Sequence, residues 1–353
     1  MVWTPCTTHE SIKFISYYQA FICYSKQAHF GQKMSIEQDT ASTGASERSH
    51  AEIIAIAARG NEITGLDIFQ KTSDDISPAR VEQLMSQMHE DQPVGGIDIS
   101  YGDSDAQHLR FWKSKSPKAP IVVYVHGGSW RVGTHLDSIG AKKVDHLLAK
   151  GYAFATINYT LIPLVKVEEQ VQEVANAVGF LAKNADELEF DDGRVILMGH
   201  SSGAHVVTLL GTDTSYLERA GVDIRTIQAV ISIDGSNYNA LAEMMDSPGP
   251  IAQNATYGLG SDPERLRAMS PTYHARGPNA QAFLLLHVQR QGDIRQAVEF
   301  AAALTAAGTE VAFHVFEGGW FEGHMQMLLR LGDPEYPATS VMDNWLNEHV
   351  PLA

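Results

Sequence analysis

From Gly96 onward, short apolar runs alternate with amphipathic segments. The run IVVYVHGG, which begins at Ile121, is almost continuously apolar, as is typical of a strand covered on both faces of a parallel sheet. Further runs with strand-like composition are YAFATINY, RVILMGH, AVISIDG, AFLLLHV and VAFHVF. Helices are predicted between them, over residues 136–150, 166–183, from Ser202 onward and 294–307. Strands that alternate with helices predict an α/β fold with a doubly wound, mostly parallel sheet and helices on both faces.

Two segments depart from this alternation. IDISYG and HLRFWKS flank a turn-like Asp103-Ser104-Asp105 and predict an antiparallel pair of strands. Residues 236–280 are rich in proline and glycine and lie between two predicted core strands. A long excursion at that place predicts a substrate-facing cap rather than a domain boundary.

The N-terminal part has a different texture. Residues 1–50 are predicted to be an extension and linker, because the tract 35–50 is small and polar and has nothing to bury. Residues 51–95 hold two predicted helices, AEIIAIAA and residues 78–90, the second with Ser77 as N-cap and Pro78 at the first helical position. We expect a small helical cap or a dimer support here, followed by one α/β domain over 96–353.

Composition and charge narrow the function classes. The 353 residues carry a formal net charge of −16 and no cluster of basic residues, which argues against nucleic-acid binding. The apolar stretches fall far short of the roughly 20 residues that span a bilayer, so no membrane association is expected. Both cysteines, Cys6 and Cys23, lie near the N-terminus, which leaves the main body without a disulfide. We therefore predict a soluble, cytoplasmic protein.

Gly199-His200-Ser201-Ser202-Gly203 matches the G-x-S-x-G pattern in the required context, between a predicted strand and a predicted helix. Glycines are needed at both flanks because the serine occupies a strained turn where Cβ atoms would clash with the strand and the helix. The pattern predicts Ser201 as a catalytic nucleophile at the carboxyl edge of the sheet.

His126-Gly127-Gly128-Ser129-Trp130 follows directly on a predicted buried strand. Acyl transfer develops an oxyanion, and small glycines let backbone N–H groups approach it closely. Gly127 and Gly128 are therefore predicted to form an oxyanion hole with the backbone N–H of Ser202.

A triad of this kind needs an acid and then a histidine later in the chain. His324 is predicted to be the general base, on a glycine-containing loop just beyond the last predicted strand. Asp293 follows the strand AFLLLHV and is the preferred orienting acid, whereas Asp234, at the end of AVISIDG, is the alternative. Either carboxylate could instead be a helix cap or a loop residue.

Aromatic residues lie beside these motifs, and no cofactor signature does. Trp130, Tyr159, Trp320 and Phe321, with His126, are candidates for an apolar or aromatic-accepting pocket, although such residues more often pack in a core. The chain has no H-E-x-x-H, no Cys/His ligand spacing, no G-x-G-x-x-G and no G-K-[ST] loop. We therefore expect neither a metal nor a cofactor.

With these residues in place, the chain resembles the α/β-hydrolase superfamily, in the esterase/lipase and kynurenine formamidase (arylformamidase) branch. The resemblance covers roughly residues 96–350. Its motifs are Tyr101-Gly102, His126 to Trp130, Asn158-Tyr159, Gly199 to His205, Ser270-Pro271 and His324. It implies a cofactor-free Ser-Asp-His hydrolase with its nucleophile at Ser201, its oxyanion loop at Gly127 and Gly128 with Ser202, and its base at His324. Relatives usually have His-Gly after the seventh core strand with an acid soon after, whereas this chain has His287-Val288, so the acid stays open between Asp293 and Asp234.

The function expected from these motifs is hydrolysis of a small carboxylic ester by a serine hydrolase. One alternative keeps the machinery and cleaves an aryl formamide such as N-formylkynurenine. Another is a non-catalytic binding protein on a hydrolase scaffold, which would have lost part of the machinery. The expected partner is a small ester or formamide substrate, and a homodimer is left open.

Overall fold

The structure is a computed structural model, and it describes residues 77–90, 92–246 and 250–352. The predicted extension and linker over 1–50 and the predicted helix AEIIAIAA lie outside the described residues. The predicted helix at 78–90 is confirmed as α1, Pro78–Glu90. Within these ranges, no helix combines the length and the apolar character needed to cross a membrane.

The described strands form one eight-stranded sheet in the order β1-β2-β4-β3-β5-β6-β7-β8. Strands β1 and β2 pair antiparallel, as do β2 and β4, and every later pair is parallel. The strands are β1 Ile97–Ser100, β2 His108–Trp112, β3 Ala119–Val125, β4 Ala153–Ile157, β5 Phe190–His200, β6 Ile227–Ile233, β7 Ala282–Gln289 and β8 Glu310–Gly319. The predicted antiparallel pair and the predicted mostly parallel sheet are both confirmed.

Helices cover both faces of the sheet. They are α2 Ala141–Lys150, α3 Val167–Lys183, α4 Ala185–Leu188, α5 Ser202–Leu210, α6 Thr214–Arg219, α7 Ala240–Asp246, α8 Pro250–Leu259, α9 Pro263–Ala268, α10 Pro271–His274, α11 Gln291–Ala306, α12 Trp320–Arg330 and α13 Pro337–His349. Strand β3 shows how the faces divide, because successive side chains of a strand point to opposite sides. Val123 packs in one core cluster with α3, α5 and α11. Val122 packs in the other with α1, α2, α12 and α13.

The segment 236–280 was predicted to be irregular because it is rich in proline and glycine. In the structure it contains the helices α7 to α10. Two of its prolines begin helices instead of breaking them. Pro263 follows Asp262, whose side chain accepts a hydrogen bond from the backbone N–H of Arg265, and Pro271 follows Ser270. Proline suits the first helical turn because its missing N–H has no partner there in any case. The irregular assignment was therefore wrong, while the cap role of this segment stays a prediction.

Several histidines are buried in this fold, and burial disfavours their charged form. Desolvation lowers the pKa of His126, His135 and His205 from 6.5 to about 4. Each of these residues binds a proton near pH 6.5 in the unfolded chain and only near pH 4 in the folded one. Their contribution to stability is therefore complete above about pH 6.5 and is lost as the pH falls toward 4.

We expect the free energy of unfolding to decrease steeply between pH 7 and pH 5. Each such histidine contributes a slope of up to about 1.4 kcal/mol per pH unit in this window. The pKa values of Asp293 and His89 are raised, so these two residues favour the folded state as the pH falls. They are fewer than the buried histidines whose pKa is lowered, so the net effect is a loss of stability. Urea unfolding at several pH values measures the slope, and a stability that stays level from pH 7 to pH 5 would contradict the expectation.

Candidate active site

Ser201 lies at a sharp turn between β5 and α5. Its backbone has φ 56° and ψ −121°, a conformation that is strained for a residue with a side chain. A Cβ on Gly199 would lie 2.3 Å from the carbonyl oxygen of Gly203, and a Cβ on Gly203 would lie 2.2 Å from that of Val125. Glycine is therefore required on both sides of Ser201, as the G-x-S-x-G pattern predicts.

The loop after β3 runs alongside this turn. A Cβ on Gly127 would lie 2.8 Å from the carbonyl oxygen of His200 and 3.0 Å from Cβ of Ser201. Gly128 has φ +120°, and a Cβ there would lie 2.0 Å from the carbonyl oxygen of Val132. The backbone N–H of Trp130 donates to the hydroxyl of Ser202 over 3.3 Å, which ties the loop to the turn. The structure thus brings the predicted oxyanion loop and the predicted nucleophile together.

His126 and Tyr159 support this loop from inside the protein. Both side chains are buried, and their rings stack with centroids 4.4 Å apart. The hydroxyl of Tyr159 donates to the carbonyl oxygen of His126 over 2.8 Å. The expectation that these two residues line an open pocket is not met, because their rings pack on each other and Tyr159 also holds the loop backbone.

The remaining pocket candidates also differ from one another. Trp130 is buried edge-on against His205, and a Cβ on Gly258 of α8 would lie 2.8 Å from its ring. Phe321 is buried in the core cluster that contains α1 and α12. Trp320, at the start of α12, is 36% exposed and is the one member of the predicted aromatic set with substantial exposure.

His324 lies in helix α12 and not on the predicted loop. Its Nδ1 is 2.5 Å from Oδ2 of Asp234, at the end of β6. The His200 ring lies against it, with centroids 4.2 Å apart, and His200 Nε2 donates to the His324 carbonyl oxygen over 3.2 Å. The imidazole is thus held on one side by a carboxylate and on another by a second buried ring.

The expectation that Asp293 orients His324 is not met by the structure. Helix α11 begins at Gln291, directly after β7, so Asp293 already lies in the first helical turn. No loop is left to carry its carboxylate to His324. Its Oδ2 lies 3.4 Å from Nη2 of Arg290 instead, and Asp234 occupies the position beside the histidine.

Asp234 is a fully buried anion with several partners. Its Oδ1 accepts from the backbone N–H of Val288 over 3.1 Å and lies 3.5 Å from Nδ1 of His287. Burial works to raise the pKa of Asp234, but the positive charge of Arg290 and hydrogen bonds from His287 and His324 outweigh it and hold that pKa well below its usual value. The carboxylate is therefore ionised across the range in which histidine titrates.

Burial, followed by the charge of Arg290, lowers the pKa of His324, while the bond to Asp234 works in the opposite direction. A neutral imidazole with Nδ1 hydrogen-bonded to a carboxylate can accept a proton at Nε2. A serine on a strained turn, with a glycine loop packed directly beside it, is an arrangement suited to nucleophilic acyl transfer. In the described ranges, no group of three or more His, Cys, Asp or Glu residues is placed to hold a metal ion.

The polar residues behind Asp234 were not predicted as part of the site. Tyr238 OH lies 2.6 Å from Ser232 Oγ and 2.9 Å from His287 Nε2, which links these side chains to the carboxylate. Arg290 Nε lies 3.0 Å from Asp234 Oδ2. Their only signal in the sequence is the set of polar residues at the ends of two neighbouring apolar strands.

Comparison with curated proteins identifies esterases and formamidases among the relatives. The probable isoprenylcysteine alpha-carbonyl methylesterase of Oryza sativa subsp. japonica is 25% identical over 219 residues, 60% of this chain and 52% of that protein. The kynurenine formamidase of Danio rerio is 29% identical over 147 residues, 40% of this chain and 48% of that protein. The chain spans about half the length of these curated relatives.

Solved structures agree on the fold. An esterase from Thermogutta terrifontis superposes with a TM-score of 0.57 at 21% identity, over 73% of this chain and 94% of that one. Esterase B from Lactobacillus Rhamnosis gives a TM-score of 0.60 at 18% identity, over 76% of this chain and 90% of that one. A family model described as BD-FAE matches residues 109–304, more than half of the chain. The chain therefore belongs to the BD-FAE family, and it has the α/β-hydrolase fold of these esterases.

Proposed function

We propose that this protein is a serine hydrolase that cleaves a small carboxylic ester through Ser201, His324 and Asp234. The observation that carries the proposal is the 2.5 Å contact between His324 Nδ1 and Asp234 Oδ2, at the sheet edge where Gly127 passes Ser201. An imidazole held by a buried carboxylate beside a serine on a nucleophile elbow is the arrangement that activates a hydroxyl group.

In the first half of the reaction, the hydroxyl oxygen of Ser201 attacks the carbonyl carbon of the ester and its proton passes to Nε2 of His324. The tetrahedral oxyanion is stabilised by backbone N–H groups of Gly127, Gly128 and Ser202, each such donor contributing about 3 kcal/mol in comparable sites. His324 then returns the proton to the leaving alcohol. In the second half, water attacks the acyl-enzyme with the same histidine as base, and Asp234 holds its tautomer throughout.

Hydrolysis of an aryl formamide is the second candidate. It is favoured by the similarity to the kynurenine formamidase of Danio rerio, which reaches 29% identity over the matched residues. The same serine, histidine and oxyanion loop serve both reactions, and only the bond to the leaving group differs, C–O in the ester and C–N in the formamide. The substrate pocket therefore decides between them.

Replacing Ser201 tests the nucleophile. We expect Ser201→Ala to lower kcat by at least about 1000-fold on p-nitrophenyl acetate, because no other group can form the acyl-enzyme. Initial rates of wild type and variant on this ester and on N-formylkynurenine give the loss and the preferred substrate in one experiment. Wild-type turnover that survives in Ser201→Ala would contradict the mechanism, and no wild-type turnover on either substrate would favour a non-catalytic protein.

Two matched substitutions separate the candidate acids. We expect Asp234→Asn to lower kcat by about 1000- to 10,000-fold, because an amide favours the wrong tautomer of His324. Asp293→Asn is the control: it is equally conservative and also buried, and its kcat should stay within about tenfold of wild type, since Asp293 does not touch His324. Circular dichroism confirms the folding of both variants, and a larger loss for Asp293→Asn would overturn the assignment of Asp234.

A further inference from the structure

Arg290 places a buried positive charge directly against the proposed triad acid. Its side chain is 12% exposed, and its Nε lies 3.0 Å from Oδ2 of Asp234, the same oxygen that contacts His324. Its Nη2 donates to the carbonyl oxygens of Asp234 and Gly235 over 3.1 and 3.3 Å. One guanidinium therefore makes a charge contact with the Asp234 carboxylate and donates hydrogen bonds to the backbone on either side of it.

The Asp234 carboxylate has other partners that do not carry a fixed charge. The backbone N–H of Val288 donates to its Oδ1, and His287 lies 3.5 Å from the same atom. Triad acids stabilise the imidazolium that forms during catalysis, and a permanent cation on the acid opposes that effect. Arg290 therefore opposes the stabilisation of the imidazolium by Asp234, and the uncharged hydrogen-bond donors around Asp234 do not have this effect.

Asp293 is the second carboxylate beside Arg290, and burial disfavours its ionised form. Burial raises the pKa of Asp293 well above its usual value even though Arg290 works to lower it. Its Oδ1 has no hydrogen-bond partner among the described residues, and its Oδ2 is 3.4 Å from the guanidinium. Asp234 is the closer of the two carboxylates to the Arg290 guanidinium, at 3.0 Å against 3.4 Å.

Resting on the serine hydrolase proposed above, we propose that Arg290 is a positioning residue: it fixes the Asp234 carboxylate against His324 and keeps the imidazole unprotonated, and so competent as a base, in mildly acidic solution. Two like charges at close range disfavour each other, so the cation lowers the affinity of His324 for a proton. Burial of the ring acts in the same direction.

Other titratable groups surround this site on several neighbouring elements. Asp234 lies at the end of β6, His287 on β7, and His200 on β5 stacks on His324. Glu322, on α12 itself, is paired with Arg80 of α1. Further groups in this network are Tyr238, which contacts His287, and Lys143 of α2, whose charge acts on His200. The charge of Asp234 also acts on Tyr336 before α13, and that of Glu243 of α7 acts on Asp293. Among these groups, Arg290 is the one that places a fixed positive charge in direct contact with the proposed triad acid, Asp234.

The test is the dependence of kcat/KM on pH for wild type, Arg290→Gln, Arg290→Lys and the exposed control Arg276→Gln. The acid limb of this profile reports the pKa of the base in the free enzyme. Removing the cation raises that pKa, so we expect the limb of Arg290→Gln to move upward by about one pH unit. Arg290→Lys keeps the charge but loses the Nη2 hydrogen bonds to the carbonyl oxygens of Asp234 and Gly235, so its limb should stay at the wild-type position while kcat falls. Arg276→Gln should match wild type in both.

A second measurement does not depend on turnover. Titration of the His324 ring by NMR in wild type and in each variant should give the same upward shift for Arg290→Gln. A purely structural role for Arg290 would lower kcat or stability without moving either pKa, and that result would overturn the proposal. If Arg290→Gln does not fold, Arg290→Lys decides, because a wild-type kcat in that variant, or a raised His324 pKa, would contradict the role assigned to the guanidinium. Turnover retained in Ser201→Ala would contradict the proposed serine hydrolase function. The NMR titration would still test the effect of Arg290 on the pKa of His324.

Discussion

The proposed active site depends on how closely three backbone segments approach one another. Gly199, Gly203 and Gly127 each lie where an added Cβ would come within 3.0 Å of a neighbouring backbone or Ser201 atom. This contact seats α5 on the ends of β3 and β5, forces Ser201 into its strained conformation and brings the oxyanion loop beside it. Because side chains are absent at these points, the hydroxyl and the backbone N–H groups can share one small volume.

Parallel strands end at the same edge of a sheet, so either of two neighbours can supply a residue to the same point. Here β6 contributes Asp234, while the end of β7 contributes His287 and Arg290. The carboxylate and the cation thus come from adjacent strands and meet behind His324. Asp293, in the helix after β7, lies on the other side of this pair, 3.4 Å from Arg290.

Burial controls the protonation of the whole region. It lowers the pKa of His324 and raises that of Asp293, while the Arg290 charge keeps Asp234 ionised. A base that is neutral and an acid that is ionised at the same pH are what acyl transfer requires. The same burial makes the fold sensitive to acid, because several of its histidines must stay neutral.

His324 stays the proposed base, although it lies in α12 and not on the predicted loop. The order of strands and helices, the tight turn at Ser201 and the close approach of the Gly127 loop to it could be predicted from the sequence, because each rests on a local pattern of apolar residues or glycines. The acid could not, because the choice between Asp234 and Asp293 depends on where α11 begins, and Gln291 is three residues earlier than the predicted start. The role of Arg290 was equally hidden, since its partners belong to segments that meet only when the strands pair. Local patterns determine which elements form, whereas a contact between residues 56 positions apart, as between Arg290 and Asp234, exists only in the folded chain.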